Sequence, residues 1–340
     1  MTELNPVSYR LAAEAPWLEA ERARVREALI AGRLPHAMLI QGAPGVGKAA
    51  LADWIARTVL CDRPDAAPCG ECASCHLHAA GSHPDLRRVG LVDEKKQVAV
   101  DDIRALIEQL TLRSFRGGAK VAIIDPADAM STSGANALLK TLEEPSSGAL
   151  LLLTAARPDR LPATIASRCQ RVPVRTPDAA TGLEWLKRID GETDWPPLLA
   201  LATGAPVRAL ELARAGAVKL EAEMKELPGR LAQPDADLVG LAEACQQHLP
   251  AERLRWIENW VTDRIRRGLK GPVSDHSPAT PGLPSAARTR HIQGLYAILD
   301  ELRMAQAALL RGSANVAMLF ERVLGLLARE LSSLRAVRPR

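Results

Sequence analysis

The chain has 340 residues, 47% of them apolar and only 3% aromatic, with a formal charge of +4. That length accommodates two or three domains with cores built from Leu, Ala, Val and Ile, and the mild charge permits contact with nucleic acid without demanding it. The N-terminal region carries charges and no apolar signal core, and no run reaches the roughly 18 apolar residues of a membrane span, so a cytoplasmic protein is expected, in which cysteines do not imply disulfides.

Ala37–Ile40 reads as a buried strand running straight into Gly42-Ala43-Pro44-Gly45-Val46-Gly47-Lys48-Ala49, and a helix continues over Ala49–Leu60. A phosphate-binding loop reads G-x-x-x-x-G-K-[ST]. Its backbone N–H groups and lysine hold phosphates, and its final hydroxyl holds Mg²⁺. Gly42, Gly45, Gly47 and Lys48 are in place, but Ala49 has no oxygen to offer. The alternative is a glycine-rich turn kept for packing, and the missing hydroxyl favours it.

Cys61, Cys69, Cys72 and Cys75 follow as C-x7-C-x2-C-x2-C. Four thiolates within reach of one tetrahedral ion suit structural Zn²⁺ and leave no position open for catalysis. His76, His78 or His83 could replace one ligand, whereas Cys169 and Cys245 lie far off in sequence and read as structural.

Leu86–Val89 is a second strand, and Asp101–Leu112 has helical spacing through Ile103, Leu106, Ile107 and Leu110. Val121–Ile124 is a short buried strand ending at Asp125, the form of a Walker B segment, whose aspartate helps to hold Mg²⁺. The next position, where ATPases of this build place a water-activating acid, is Pro126; Asp128 is expected to point elsewhere. Gly134–Glu144 is a helix stopped by Pro145, and Leu150–Thr154 and Arg171–Val174 are two more strands. This alternation predicts a parallel sheet with helices on both faces, and it puts the glycine-rich loop where such sheets bind ligands. Taken alone, Arg168 in Ser167-Arg168-Cys169 reads as a surface arginine in a local salt bridge.

Beyond about Thr176 the chain is Leu/Ala-rich with helical spacing and no convincing strand. A small helical domain is expected over 176–214 and a larger one from 215 to 340. The proline-rich stretch 271–288 reads as a mobile loop between two helices or as a domain boundary.

Together, five motifs resemble the bacterial DNA polymerase III clamp-loader subunits of the AAA+ class. They are Arg33-Leu34-Pro35-His36-Ala37, the four-cysteine insert, His83-Pro84-Asp85, Asn136-Ala137-Leu138-Leu139-Lys140-Thr141-Leu142-Glu143-Glu144-Pro145 and Ser167-Arg168-Cys169. The likeness spans roughly 33–170 and is only architectural beyond about 215. It implies an α/β AAA+ (P-loop) domain with a parallel sheet and zinc module over 1–175, a helical lid domain over 176–214 and an all-α collar domain for oligomerisation over 215–340.

Such rings contain motor subunits, gamma and tau, that hydrolyse ATP, and a stationary delta-prime type with a degenerate loop. The resemblance, with Ala49 and Pro126, implies the stationary type. Gly42, Gly45, Gly47, Lys48 and Asp125 would then be a degenerate nucleotide site with no productive ATP/Mg²⁺, and Cys61, Cys69, Cys72 and Cys75 a structural Zn²⁺ site. Arg168 would be an arginine finger serving a neighbour in trans. The partners implied are gamma/tau and delta, with the sliding clamp and primer-template DNA met through the complex, and no membrane. Arg208 falls near a motor subunit's sensor arginine, although a helix-surface charge is the preferred reading. Two other functions stay open. One is an active motor subunit; the other is a nucleic-acid module using the basic segment 253–270, where interleaved acids favour a solvated helix face instead.

Overall fold

A computed structural model describes residues 12, 14–91, 97–269, 285–311 and 315–337. They group into two compact units, residues 1–211 and 212–340.

The first unit is built on five parallel strands, β1 (Ala37–Gln41), β2 (Leu86–Gly90), β3 (Lys120–Asp125), β4 (Ala149–Ala155) and β5 (Gln170–Pro173), in the order β2-β3-β4-β1-β5. All five expected strands are present, with ends moved by a residue. The central strands are nearly continuous apolar runs because helices cover both faces of a parallel sheet. Successive side chains point to opposite faces. Leu39, Ile124 and Leu153 therefore enter one core with α4 (Val100–Thr111) and α5 (Thr132–Glu143), supplying Ile103, Leu106, Leu138 and Leu142. On the sheet, α2 (Lys48–Val59) packs against β1, β3 and β4. Preceding β1 is α1 (Glu19–Ile30), which packs on α2.

Local chemistry fixes the helix ends. The Ser131 hydroxyl caps α5 by accepting the Gly134 N–H at 3.1 Å, and Pro145, which forbids helical backbone in the residue before it, ends that helix. The Asp178 carboxylate caps α7 (Ala179–Ile189) by accepting the Thr181 N–H at 2.9 Å. A short helix, α3 (Ala73–Ala79), inside the cysteine segment and a single turn, α6 (Ala163–Ala166), are additions to the sequence expectation. The remainder of the unit is helical, with α8 (Trp195–Leu201) and the start of α9 (Pro206–Arg214).

The second unit contains α10 (Ala217–Leu231), α11 (Leu238–Gln247), α12 (Pro250–Leu269), α13 (Ser285–Arg311) and α14 (Val316–Val337). Its core includes Leu220, Met224, Leu254, Ile257, Leu302, Phe320 and Leu324. Three of the basic residues of 253–270 are engaged within the unit. Arg253 pairs with Glu223 at 2.6 Å, Arg267 with Asp263 at 2.6 Å, and Arg264 lies 4.3 Å over the Trp260 ring. Of the expected loop at 271–288, residues 271–284 lie outside the described residues, and Ser285 already begins α13. Among the described residues, no helix is long and apolar enough to cross a membrane.

Asp85, buried just before β2, organises the loop between α4 and β3. Its carboxylate accepts the Phe115 N–H at 2.8 Å, the Arg116 N–H at 3.1 Å and the Ser114 hydroxyl at 3.0 Å. Removing the acceptor leaves backbone donors without a partner. Asp85→Ala is expected to lower the unfolding free energy by about 1–3 kcal/mol, read as a lower urea midpoint at unchanged slope. An unshifted midpoint would mean that water satisfies these donors equally well.

Candidate functional site

The glycine-rich loop joins β1 to α2 at the carboxyl end of the sheet. Gly42 permits close backbone approach, since a Cβ there would lie 2.2 Å from the Val174 carbonyl oxygen. Gly45 has φ +73°, and a Cβ on it would fall 2.2 Å from the Arg208 Cβ. Three loop carbonyls have donors from within the unit. The Lys48 ammonium donates to Ala43 O at 2.8 Å, the Trp17 indole N–H to Val46 O at 2.9 Å, and the Arg208 backbone N–H to Gly45 O at 3.2 Å. The Trp17 ring stands edge-on to Trp185 of α7, with centroids 5.2 Å apart. The Arg208 guanidinium meets Glu211 at 3.0 Å on its own helix. Arg208 thus lies against the loop through its backbone, a placement that neither sequence reading of it included.

Asp125 ends β3, half-buried, and accepts a hydrogen bond from the Thr154 hydroxyl near the end of β4. Burial raises the pKa of the Asp125 carboxyl and lowers that of the Lys48 ammonium, each resisted by the opposite charge of the other. The charge of Asp128 is felt by both Lys48 and Asp125. One of its oxygens accepts the Arg157 N–H at 2.8 Å, and the other is buried with no hydrogen-bond partner among the described residues. Asp128 sits on the 3₁₀ turn Ala127–Ala129. Pro126 contributes neither an acid nor an N–H. The loop's Ala49, the second residue of α2, likewise contributes no oxygen.

The four cysteines converge as their spacing predicts. Their sulfurs all lie within 4.8 Å of one another, with Cys61–Cys75 at 3.8 Å, Cys61–Cys72 at 3.9 Å and Cys69–Cys75 at 4.0 Å. Those separations fit a metal, since four ligands at about 2.3 Å from a tetrahedral Zn²⁺ stand about 3.8 Å apart. Backbone N–H groups of Arg63 and Cys69 approach the Cys61 sulfur, that of Cys72 approaches Cys69, and that of Cys75 approaches Cys72. Such donors favour thiolate. The Cys69 thiol is held down to about 6, chiefly by the Glu71 N–H, whereas burial pushes Cys75 up to about 12. A cation at the centre would remove that conflict by stabilising all four as thiolates.

None of the three histidines is brought into this cluster. His78 meets Asp53 at 3.3 Å, and His83 meets the Ser74 hydroxyl at 3.1 Å and the Asp85 N–H at 3.2 Å, so both dock the module on the rest of the unit. Asp62 ties the cluster to the loop after α4, accepting from Ser74 N–H at 3.2 Å and from Arg116 at 3.1 Å.

Arg168 follows α6. It donates to the Thr164 carbonyl at 2.9 Å and pairs with Glu143, the last residue of α5, at 2.7 Å. Ser167 donates to the same carbonyl at 3.2 Å, and Cys169 is buried in the core that contains Leu138 and Leu142. The serine tightens the turn, the cysteine anchors it, and the arginine between them remains 35% exposed. Thr154, Trp17 and Glu143 are the site residues that sequence reasoning missed. Thr154 alone carried a local signal, a hydroxyl ending an apolar strand.

With this geometry in hand, comparisons with known proteins agree with one another. Residues 19–178 match the family described as DNA polymerase III, delta subunit. The chain is 38% identical over 238 residues to DNA polymerase III subunit delta' of Pseudomonas aeruginosa, covering 69% of this chain and 73% of that protein. It is 33% identical over 256 residues to subunit delta' of Escherichia coli, covering 74% and 76%. DNA polymerase III subunit tau of Escherichia coli is 39% identical over 139 residues, covering 41% of this chain and 21% of that protein.

The purified protein is expected to carry one Zn²⁺ per chain, bound by Cys61, Cys69, Cys72 and Cys75. Cys72→Ser, or prolonged chelation, should release the ion and lower the thermal midpoint, because the binding energy of a structural ion is also folding energy. Elemental analysis of protein prepared without chelator is the direct measurement, and a metal-free result would count against the site.

Proposed function

This chain belongs to the DNA polymerase III subunit delta' family, and on that premise we propose that it is the stationary, non-hydrolysing subunit of a clamp loader. In this reading residues 1–175 are an AAA+ domain, 176–214 a lid and 215–340 a collar that joins a ring with gamma/tau and delta subunits in the cytoplasm. The assembled ring places the sliding clamp on primer-template DNA. The subunit acts as a fixed wall that the motor subunits work against.

The observation that carries the non-hydrolysing role is the phosphate loop itself. Ala49 stands where the Mg²⁺-binding hydroxyl belongs, and the Lys48 ammonium is turned onto the loop's own Ala43 carbonyl. Gly45 makes the same point, because its missing side chain leaves room for Arg208 of α9. The glycines of this loop serve packing. Pro126 also removes the candidate acid beside Asp125.

The runner-up is an ATP-hydrolysing motor subunit of the gamma/tau type. Two observations favour it: Gly42, Gly45, Gly47 and Lys48 remain, and Asp128, whose charge is felt by Lys48 and Asp125, keeps one buried oxygen without a hydrogen-bond partner among the described residues.

Arg168 is the residue through which the subunit would act on its neighbour. Transfer of a γ-phosphoryl group spreads negative charge over its oxygens, and a guanidinium from an adjoining subunit stabilises that charge. Arginine suits the role because it stays protonated and presents a planar fork of donors. Exposure of Arg168 on a turn anchored by Cys169 supports this assignment.

Two outcomes are expected. The isolated protein should show no steady-state ATPase, and Ala49→Thr alone should not create any, because no residue takes the place of Pro126 in activating water. Turnover by the unmodified protein, free of contaminating ATPase, would move it to the motor class. In reconstituted complexes Arg168→Ala should leave zinc content and assembly intact while slowing hydrolysis at one neighbouring site and clamp loading. An arginine finger in GTPases is worth about 10³–10⁵ in rate, so the effect at that site should be large and the effect on total ATPase smaller. Arg168→Lys should rescue poorly. Equal ATPase and loading with wild-type and Arg168→Ala complexes would reduce Arg168 to a surface arginine.

A further inference from the structure

We infer that Glu143 is a positioning residue that sets the pose of Arg168 for the neighbouring subunit, an inference that rests on the reading of Arg168 as an arginine finger. The two side chains come from different elements and meet at 2.7 Å, Glu143 from the last turn of α5 and Arg168 from the turn after α6. A second partner, the Thr164 carbonyl at 2.9 Å, holds another nitrogen of the same guanidinium. Two fixed points on one planar group set its position and the axis through the two bonded nitrogens.

An unrestrained arginine side chain would fix neither. It carries several rotatable bonds, and ordering it for each catalytic event costs entropy. Here that ordering is built into the subunit before it meets a phosphate. The guanidinium still has donors to offer, since it carries five N–H groups and neither partner is a bidentate clamp on the whole fork.

The pair is not explained by helix stability. An acidic residue at a helix C-terminus opposes the helix dipole, so Glu143 is in the wrong place for α5 on its own account. Its carboxylate is 50% exposed and Arg168 is 35% exposed; a pair so exposed to solvent adds little to folding. The next residue, Glu144, leaves the helix and precedes Pro145, which ends α5 at this point and so fixes where the Glu143 carboxylate is delivered. The Ser167 hydroxyl and the buried Cys169 fix the other side of the pair.

The test is a double-mutant cycle in the reconstituted clamp-loader complex, using Glu143→Ala, Glu143→Gln, Arg168→Ala and the Glu143→Ala/Arg168→Ala double variant. The signal is the part of the ATPase that Arg168→Ala removes. Glu143→Ala should lower kcat for that part by about two- to fivefold, the range that coupling energies of exposed ion pairs imply, with KM for ATP, zinc content, thermal midpoint and assembly unchanged. Glu143→Gln keeps an oxygen that accepts from the guanidinium and should retain more activity than Ala. In the Arg168→Ala background, removing Glu143 should have no further effect.

A wild-type rate for Glu143→Ala, in a complex where Arg168→Ala is slow, would overturn the positioning role and leave the finger in place. A Glu143→Ala defect that persists without Arg168 would also overturn it, by placing the action of Glu143 elsewhere. If Arg168→Ala itself is without effect, the finger reading falls first and this inference with it. Should Glu143→Ala fail to assemble, the near-isosteric Glu143→Gln carries the cycle, and a wild-type rate together with a wild-type salt dependence for that variant counts against the inference.

Discussion

Backbone carbonyls need donors, and much of the first unit is arranged around the carbonyls of one loop. In a working phosphate loop the glycines leave the main chain bare for a nucleotide. Here a tryptophan from before α1, the loop's own lysine and the first turn of α9 donate to three carbonyls of that main chain. Because α9 touches the loop through its backbone, its place is set by Gly45 having no side chain rather than by any property of Arg208's charge. The edge-to-face contact of Trp17 with Trp185 extends the same junction into α7. Glycine retention, commonly taken as a mark of phosphate chemistry, here has a steric cause.

The cysteine module poses a different problem, one of charge. Four sulfurs packed near 4 Å cannot all be thiolates unless something positive holds them together. The chain supplies partial help through backbone N–H groups, and the module is otherwise held by polar contacts. His78 with Asp53, His83 with Ser74 and Asp62 with Arg116 tie it to α2 and to the loop after α4. Two of the three histidines that sequence reasoning offered as spare ligands, His78 and His83, are thus fasteners.

The strands were legible because a parallel sheet covered on both faces writes them as unbroken apolar runs, and the five-stranded sheet and helical remainder bear out the expected fold class. The cysteine cluster was legible because ligand spacing is local. What sequence reasoning missed is almost entirely long-range. Trp17 meets Val46 across 29 positions, and Thr154 meets Asp125 only because β3 and β4 are in a register that sets Ile124 beside Leu153. Asp128 meets the Arg157 N–H across 29 positions from a 3₁₀ turn that the sequence did not announce. Glu143 carried no signal at all, since a glutamate at the end of a helix is ordinary until the arginine opposite is known.

The order of the sheet gives the cysteine module a further significance. Strand β2 lies at one margin of the sheet and, among the described residues, β3 is its one strand partner. The module stands immediately ahead of β2 in the chain, and its His78 meets both Arg88 of that strand, at 3.1 Å, and Asp53 of α2, at 3.3 Å. Were the sulfurs to lose their ion, the strand nearest to them would be the first to loosen, and its departure would bare the row of N–H and C=O groups along β3. An open row of that kind is a template for pairing with other chains. An ion held by the four sulfurs would therefore guard solubility as well as shape.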